Sequence, residues 1–209
     1  MDEKNRTVNK TTKIKICGLR RPQDIQAANQ YKPDYIGFVF APASKRFVSP
    51  QQAAELKALL SPDIASVGVF VNEDREIIFD LLNKHIISIV QLHGQETEDD
   101  ICWIKRKTDA QVIKAVSVHE KADIARWENS SADYLLFDHG SGGTGQTFDW
   151  SLLTDCCKRY FLAGGIDADN LKTALNQGAY AVDISGGAET DGWKDAEKIS
   201  QLIRMVRIS

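Results

Sequence analysis

The sequence predicts a single-domain α/β protein, an eight-stranded (β/α)8 barrel, and three observations predict it. Short runs rich in Val, Ile and Phe alternate with longer amphipathic stretches from Lys13 to the C-terminus, with no linker between them. The short runs number eight. Several of them end in a polar residue, as barrel strands do where their C-terminal ends open onto a shared mouth.

In chain order the strand candidates are Lys13–Cys17, Asp34–Phe40, Ala65–Val71, Ile87–His93, Gln111–Val116, Asp133–Asp138, Tyr160–Ala163 and Ala179–Ser185. Helical patterns fall between them at Gln51–Leu60, Arg75–Asn83, Thr97–Lys107, Lys121–Glu128, Ala168–Gln177 and Asp195–Val206. Ser49-Pro50 supplies an N-cap and a first-turn proline, and Gly178 stands where a helix C-terminus favours glycine. Periodicity alone fits an open doubly wound sheet as well as a barrel. The polar strand ends Cys17, His93, Asp138 and Ser185 favour the barrel, and the first strand is followed by Gly18 alone, without the G-x-G-x-x-G of a dinucleotide fold.

The chain has 209 residues, 43% hydrophobic and 26% charged, the balance of a globular protein with one core. Residues 1–12 read as a polar leader and 13–209 as the barrel domain. A net charge of −3 with scattered Lys and Arg gives no footprint for nucleic acid. No apolar run reaches the roughly 20 residues of a membrane span, and the leader is neither signal peptide nor anchor. The four cysteines form no disulfide framework and no C-x-x-C pair. The expectation is a cytoplasmic protein with no metal and no cofactor, a monomer or homodimer.

Four constellations carry chemistry. Gly164-Gly165 and Gly186-Gly187 follow the seventh and eighth strands, where barrels recurrently hold phosphate through backbone N–H groups. The ligand expected is therefore a phosphorylated small molecule. Lys15 and Cys17 lie two apart on the first strand and share a face; an ammonium there would lower the thiol pKa and make Cys17 usable as a base, against the alternative of a small core cysteine. Asp138 ends an apolar strand before the glycine-dense segment Gly140–Gly145, either as a cap or as a catalytic acid. Arg46, after the second strand, fits a solvated surface or a fork onto a carboxylate, and Gln91 with His93 fits a structural pair or a site pair.

Taken together the segments resemble the phosphoribosylanthranilate isomerase family over Lys13 to Val206. The resemblance rests on K-x-C-G-L at Lys15 to Leu19, G-F-x-F at Gly37 to Phe40 with S-x-R at Ser44 to Arg46, and V-G-V-F-V-N at Val67 to Asn72. It continues with Q-L-H-G at Gln91 to Gly94, L-x-D at Leu136 to Asp138, Leu162-Ala163-Gly164-Gly165, and K-D-x-x-K-I at Lys194 to Ile199. The strand-eight turn departs from the usual family pattern of a second serine or a valine.

The resemblance implies a (β/α)8 barrel catalysing an Amadori rearrangement in tryptophan biosynthesis without metal or cofactor. By position it makes Asp138 the general acid and Cys17 the general base. Arg46 would hold the anthranilate carboxylate, and Gly164, Gly165, Ser185, Gly186 and Gly187 would hold the phosphate; Lys15 and His93 join them as substrate-binding candidates. Asp138 should keep its proton while Lys15 depresses the Cys17 pKa. Two other readings compete: a phosphate-binding synthase such as indoleglycerol-phosphate synthase, for which the lysine set is missing, and a barrel that binds a phosphorylated metabolite without chemistry.

Overall fold

The computed structural model describes residues 12–139, 147–153 and 156–209. Almost all of the leader, and the segment Gly140–Gly145, lie outside the described residues.

Eight parallel strands close into a barrel: β1 (Lys13–Cys17), β2 (Tyr35–Val39), β3 (Ala65–Phe70), β4 (Ile89–Leu92), β5 (Gln111–Ser117), β6 (Tyr134–Asp138), β7 (Tyr160–Leu162) and β8 (Ala181–Ile184). Closure is made by β1 against β8, from Lys13 opposite Ala181 to Ile16 opposite Ile184. The helices are α1 (Pro22–Tyr31), α2 (Pro50–Leu59), α3 (Arg75–Asn83), α4 (Glu98–Lys107), α5 (Lys121–Ala125), α6 (Leu171–Leu175) and α7 (Ala196–Arg207). A two-stranded hairpin, β9 (Glu189–Thr190) and β10 (Trp193–Lys194), follows β8.

Strand periodicity sorts the core into two large bodies, with a small third cluster of Cys17, Val39, Ala41 and Val69. On β1 the outward Ile14 and Ile16 join Ile36, Phe38 and Val90 against the helices, where α7 contributes Ile199, Leu202, Ile203 and Val206. Burying each of these α7 side chains stabilises the fold by about 1.5–3 kcal/mol, which is what fastens the last helix to the barrel. The inward set, Tyr35, Val67, Ile89, Ile113, Tyr134, Leu136, Phe161 and Ala181, fills the lumen.

Helix ends follow the local chemistry. Ser49 Oγ accepts from Gln52 N at 3.1 Å to cap α2. The expected helix Ala168–Gln177 shrinks to α6 because Asp167 and Asn170 form local side-chain turns: Asp167 Oδ1 accepts from Asp169 N at 3.0 Å and Asn170 Oδ1 accepts from Asp167 N at 3.1 Å. Between β6 and β7 the described residues hold only a 3-10 turn, Trp150–Leu153. Helix α1, absent from the helical patterns above, begins at Pro22 with Asp24 accepting from Arg20 N and Arg21 N at 2.9 and 3.0 Å. No described helix is long and apolar enough to cross a membrane.

Candidate active site

The C-terminal ends of the strands open onto a cavity of about 960 Å³. Its wall brings together Cys17 from β1, Arg46 from the loop after β2, His93 after β4, Asp138 from β6, Gly164 and Gly165 after β7, and Ser185, Gly186 and Gly187 after β8. Residues far apart in the chain meet there because each stands at the C-terminal end of a strand or in the loop that follows it.

Lys15 is not part of that wall. It lies fully buried in the lumen, where its ammonium donates to Asp183 Oδ2 at 2.8 Å and to Gln91 Oε1 at 2.9 Å. Asp183 holds the charge that makes a buried lysine tolerable. Its other oxygen, Oδ1, is buried with no hydrogen-bond partner, and Asp183 itself reaches the cavity wall.

Burial, more than this pairing, corrects the expected electrostatics of Cys17. Burial pushes the thiol pKa above its usual value; Lys15 pulls it down, but Asp183 pushes it back up. Burial outweighs the pull of Lys15, so Cys17 is not held as a thiolate in the resting site.

Asp138 shifts in the expected direction. Burial, with the Asp183 charge adding to it, pushes its carboxyl up to about 6, against the pull of the His139 N–H on Oδ1 at 2.7 Å. Its Oδ2 faces His93 Nε2 at 3.7 Å. Burial, and then the charge of Lys15, lowers His93 to about 4, so that imidazole is neutral at physiological pH.

Arg46, which taken alone reads as a surface residue rather than a site residue, is buried at 8% exposure. Its Nε and Nη2 fork onto Glu189 Oε1 and Oε2 at 2.6 and 2.8 Å. Lys194 Nζ donates to the same Glu189 Oε1 at 2.5 Å and to Ser185 O at 3.0 Å. Burial opposes ionisation of Glu189, yet the two cations hold its pKa down at about 2. The guanidinium has five N–H groups and the fork uses two, so Nη1 and one Nη2 proton lie outside it.

The two glycine turns are shaped by conformation and by contact. Gly164 and Gly165 both have positive φ, 86° and 60°. A Cβ on Gly187 would collide with the backbone oxygen of Ile166, so the turns after β7 and β8 pack directly on each other. Ser185 Oγ donates to Cys17 O at 3.0 Å and ties the second turn to the end of β1.

Sequence reasoning missed Asp183, Lys194 and the part played by Glu189. Asp183 stands two residues before Ser185 in an apolar run, and strand alternation alone puts both on the inward face. Lys194 was findable from Asp191-Gly192, a hairpin-turn dipeptide whose residues take φ of 51° and 76°. That turn folds Lys194 back over Glu189 and Ser185. Among the described residues, no group of three or more His, Cys, Asp or Glu is placed to hold a metal ion.

A carboxyl whose pKa is raised to about 6 and a thiol face one cavity, across from a glycine-lined wall. Groups of that kind can move protons on a small ligand, and the fold and the site together are those of a (β/α)8-barrel acid–base enzyme. The family model described as N-(5'phosphoribosyl)anthranilate (PRA) isomerase matches residues 14–205. The N-(5'-phosphoribosyl)anthranilate isomerase of Endomicrobium trichonymphae is 43% identical over 200 residues, covering 93% of this chain and 98% of its own. The crystal structure of phosphoribosyl anthranilate isomerase from Thermus thermophilus superposes with a TM-score of 0.86 at 32% identity, covering 95% of this chain and all of that one. A crystal structure of phosphoribosyl anthranilate isomerase in complex with reduced 1-(o-carboxyphenylamino)-1-deoxyribulose 5-phosphate gives 0.84 at 34% identity, with 95% of this chain and 100% of that chain covered. The chain belongs to the N-(5'-phosphoribosyl)anthranilate isomerase family. The synthase and the binding-only readings find no support in these matches.

Proposed function

We propose that Asp138 and Cys17 act as the acid and the base of this family's reaction. That reaction converts N-(5'-phosphoribosyl)anthranilate to 1-(2-carboxyphenylamino)-1-deoxyribulose 5-phosphate in tryptophan biosynthesis. The observation that carries the assignment is that a thiol from β1 and a carboxyl from β6 whose pKa is raised to about 6 face the same cavity.

The Asp138 proton passes to the furanose ring oxygen, the C1′–O bond breaks, and the anthranilate nitrogen closes a protonated imine. The Cys17 thiolate takes the C2′ proton, and the electron pair of that C–H bond forms the enolamine, which tautomerises to the ketone. The turns Gly164-Gly165 and Ser185-Gly186-Gly187 hold the phosphate through backbone N–H groups. Arg46 meets the anthranilate carboxylate with the N–H groups outside the Glu189 fork, which fixes the guanidinium plane in advance. His93 lines the pocket beside Asp138. Lys15 acts from beneath, through Cys17 and Asp183. Residues 13–209 form the catalytic domain behind a polar leader of residues 1–12, in a cytoplasmic protein that is a monomer or homodimer.

The pKa order has a kinetic signature. The acid ionises near 6 and the base above the usual thiol value, so the reactive form, acid protonated and base deprotonated, is always a minor one. Its population rises with pH up to about 6, stays flat, and falls once pH passes the thiol pKa. The test is growth of a strain lacking this isomerase, complemented by wild type, Cys17→Ala or Asp138→Asn, with kcat/KM against pH on the purified proteins. Wild type should support growth and show the plateau, and each variant should lose about 100-fold or more in rate. Full activity in either well-folded variant would sink its assignment.

A further inference from the structure

Four side chains run in contact from the lumen to the mouth, and their chemistry leaves only one arrangement of protons. Lys15 Nζ has donors and no acceptor, so the Gln91 atom 2.9 Å from it is the amide oxygen. The other end of that amide is then settled: Gln91 Nε2, which only donates, lies 2.8 Å from His93 Nδ1. Nδ1 is therefore the accepting nitrogen, and in a neutral imidazole the proton sits on Nε2. Nε2 faces Asp138 Oδ2 at 3.7 Å. The chain cannot be reversed by turning the Gln91 amide, because its NH2 would then confront the ammonium of Lys15, which is itself anchored by Asp183 at 2.8 Å.

We propose that Gln91 is a positioning residue that locks His93 in the Nε2–H tautomer, so that the imidazole offers Asp138 a donor and never an acceptor. The consequence is protection of the acid's proton. In the opposite tautomer the Nε2 lone pair would accept the O–H of Asp138 and draw that proton away from the substrate oxygen. With the lock in place, the only other imidazole lone pair, on Nδ1, is already occupied by the Gln91 N–H. After Asp138 has delivered its proton, the same Nε2–H faces the newly formed carboxylate. Burial of the imidazole and the neighbouring Lys15 charge, which disfavour the imidazolium, act in the same direction.

That the protected proton is the catalytic one rests on the acid assignment above; the tautomer itself does not. The experiment is a long-range 1H–15N spectrum of 15N-labelled protein near neutral pH, with His93 assigned by its loss in His93→Gln. Wild type should show an unprotonated Nδ1 and a protonated Nε2; a protonated Nδ1 overturns the proposal. Gln91→Glu replaces the N–H with an acceptor that can receive from both Lys15 and Nδ1–H, and should flip the tautomer. With the flip, kcat should fall by about tenfold or more while KM stays within about twofold. A flip that leaves kcat unchanged also overturns it. Gln91→Met, which neither donates nor accepts, should give a mixture of tautomers and an intermediate loss. Asp138→Asn should keep the Nε2–H signature, so failure of the acid assignment and failure of the lock are seen separately.

Discussion

The two ends of the barrel lumen are built from opposite materials. At the floor, Tyr35, Tyr134, Phe161 and Tyr180 pack ring against ring, with Tyr134 stacked on Tyr180 at 4.7 Å and Phe161 within 5.4–5.7 Å of the three tyrosines. The Tyr35 and Tyr180 hydroxyls bond each other at 2.9 Å, and Lys13 sits over both rings. Every polar tip named there has an apolar body beneath it. At the mouth, Cys17, Asp138 and His93 face a cavity and Asp183 carries an oxygen with no partner, arrangements that packing alone does not require. The floor is optimised for contact and the mouth for chemistry. The difference shows how one closed sheet can keep a costly polar end: its other end and its outer face supply the stability.

The layer between them, Lys15 with Gln91 and Asp183, belongs to both, and it gives the sharpest way to break the comparison. Lys15→Met leaves the Asp183 carboxylate buried without its cation and should cost about 3–5 kcal/mol of stability. The same change removes the attraction that partly offsets burial of the Cys17 thiol, so kcat should fall too. Denaturant unfolding and steady-state rates on one preparation measure both; a loss confined to either one would move Lys15 wholly to that end.

Phe161→Ala, at the floor, should cost about 3–5 kcal/mol through the cavity it leaves. Its kcat/KM, measured well below the lowered midpoint, should match wild type. A large activity loss there would mean that the two ends are mechanically coupled.

Asp138→Asn should do the reverse at the mouth. The Asp138 carboxyl is raised in the fold to about 6, so the native state binds the proton more tightly than the unfolded chain. Stability from this group is therefore present below the ordinary carboxyl range and lost as pH rises toward about 6, on the order of 3 kcal/mol in all. The variant should match wild type near about pH 4 and exceed it near about pH 7, in melting experiments at the two values. Equal melting temperatures at both would show that Asp138 is not held protonated by the fold.

Much of this was legible before any coordinates. Strand β1 has the expected bounds, Lys13–Cys17, because its Lys-Ile-Lys-Ile alternation is the strand period itself. Asp138 and Cys17 were legible as strand-end groups for the same reason. The expected strand Ile87–His93 shortens to Ile89–Leu92, since ladder pairing to β3 and β5 starts only at Ile89. The eighth strand likewise retreats to Ala181–Ile184. Lys15 was read as lowering the Cys17 pKa, and it does pull the thiol down, but burial outweighs it and Asp183, which only barrel closure brings across from β8, adds to burial.

Sequence by itself determined the number and order of the strands, which side chains face inward, and the resemblance that names the reaction, because period and local turn chemistry are properties of neighbours in the chain. What only the tertiary structure decided are charges and proton positions: the Lys15–Asp183 pair, the Glu189 fork on Arg46, and the direction of the Gln91 amide. Those depend on which groups come within about 3 Å of each other after β1 has met β8, and hydrogen-bond distance in space has no fixed relation to separation in sequence.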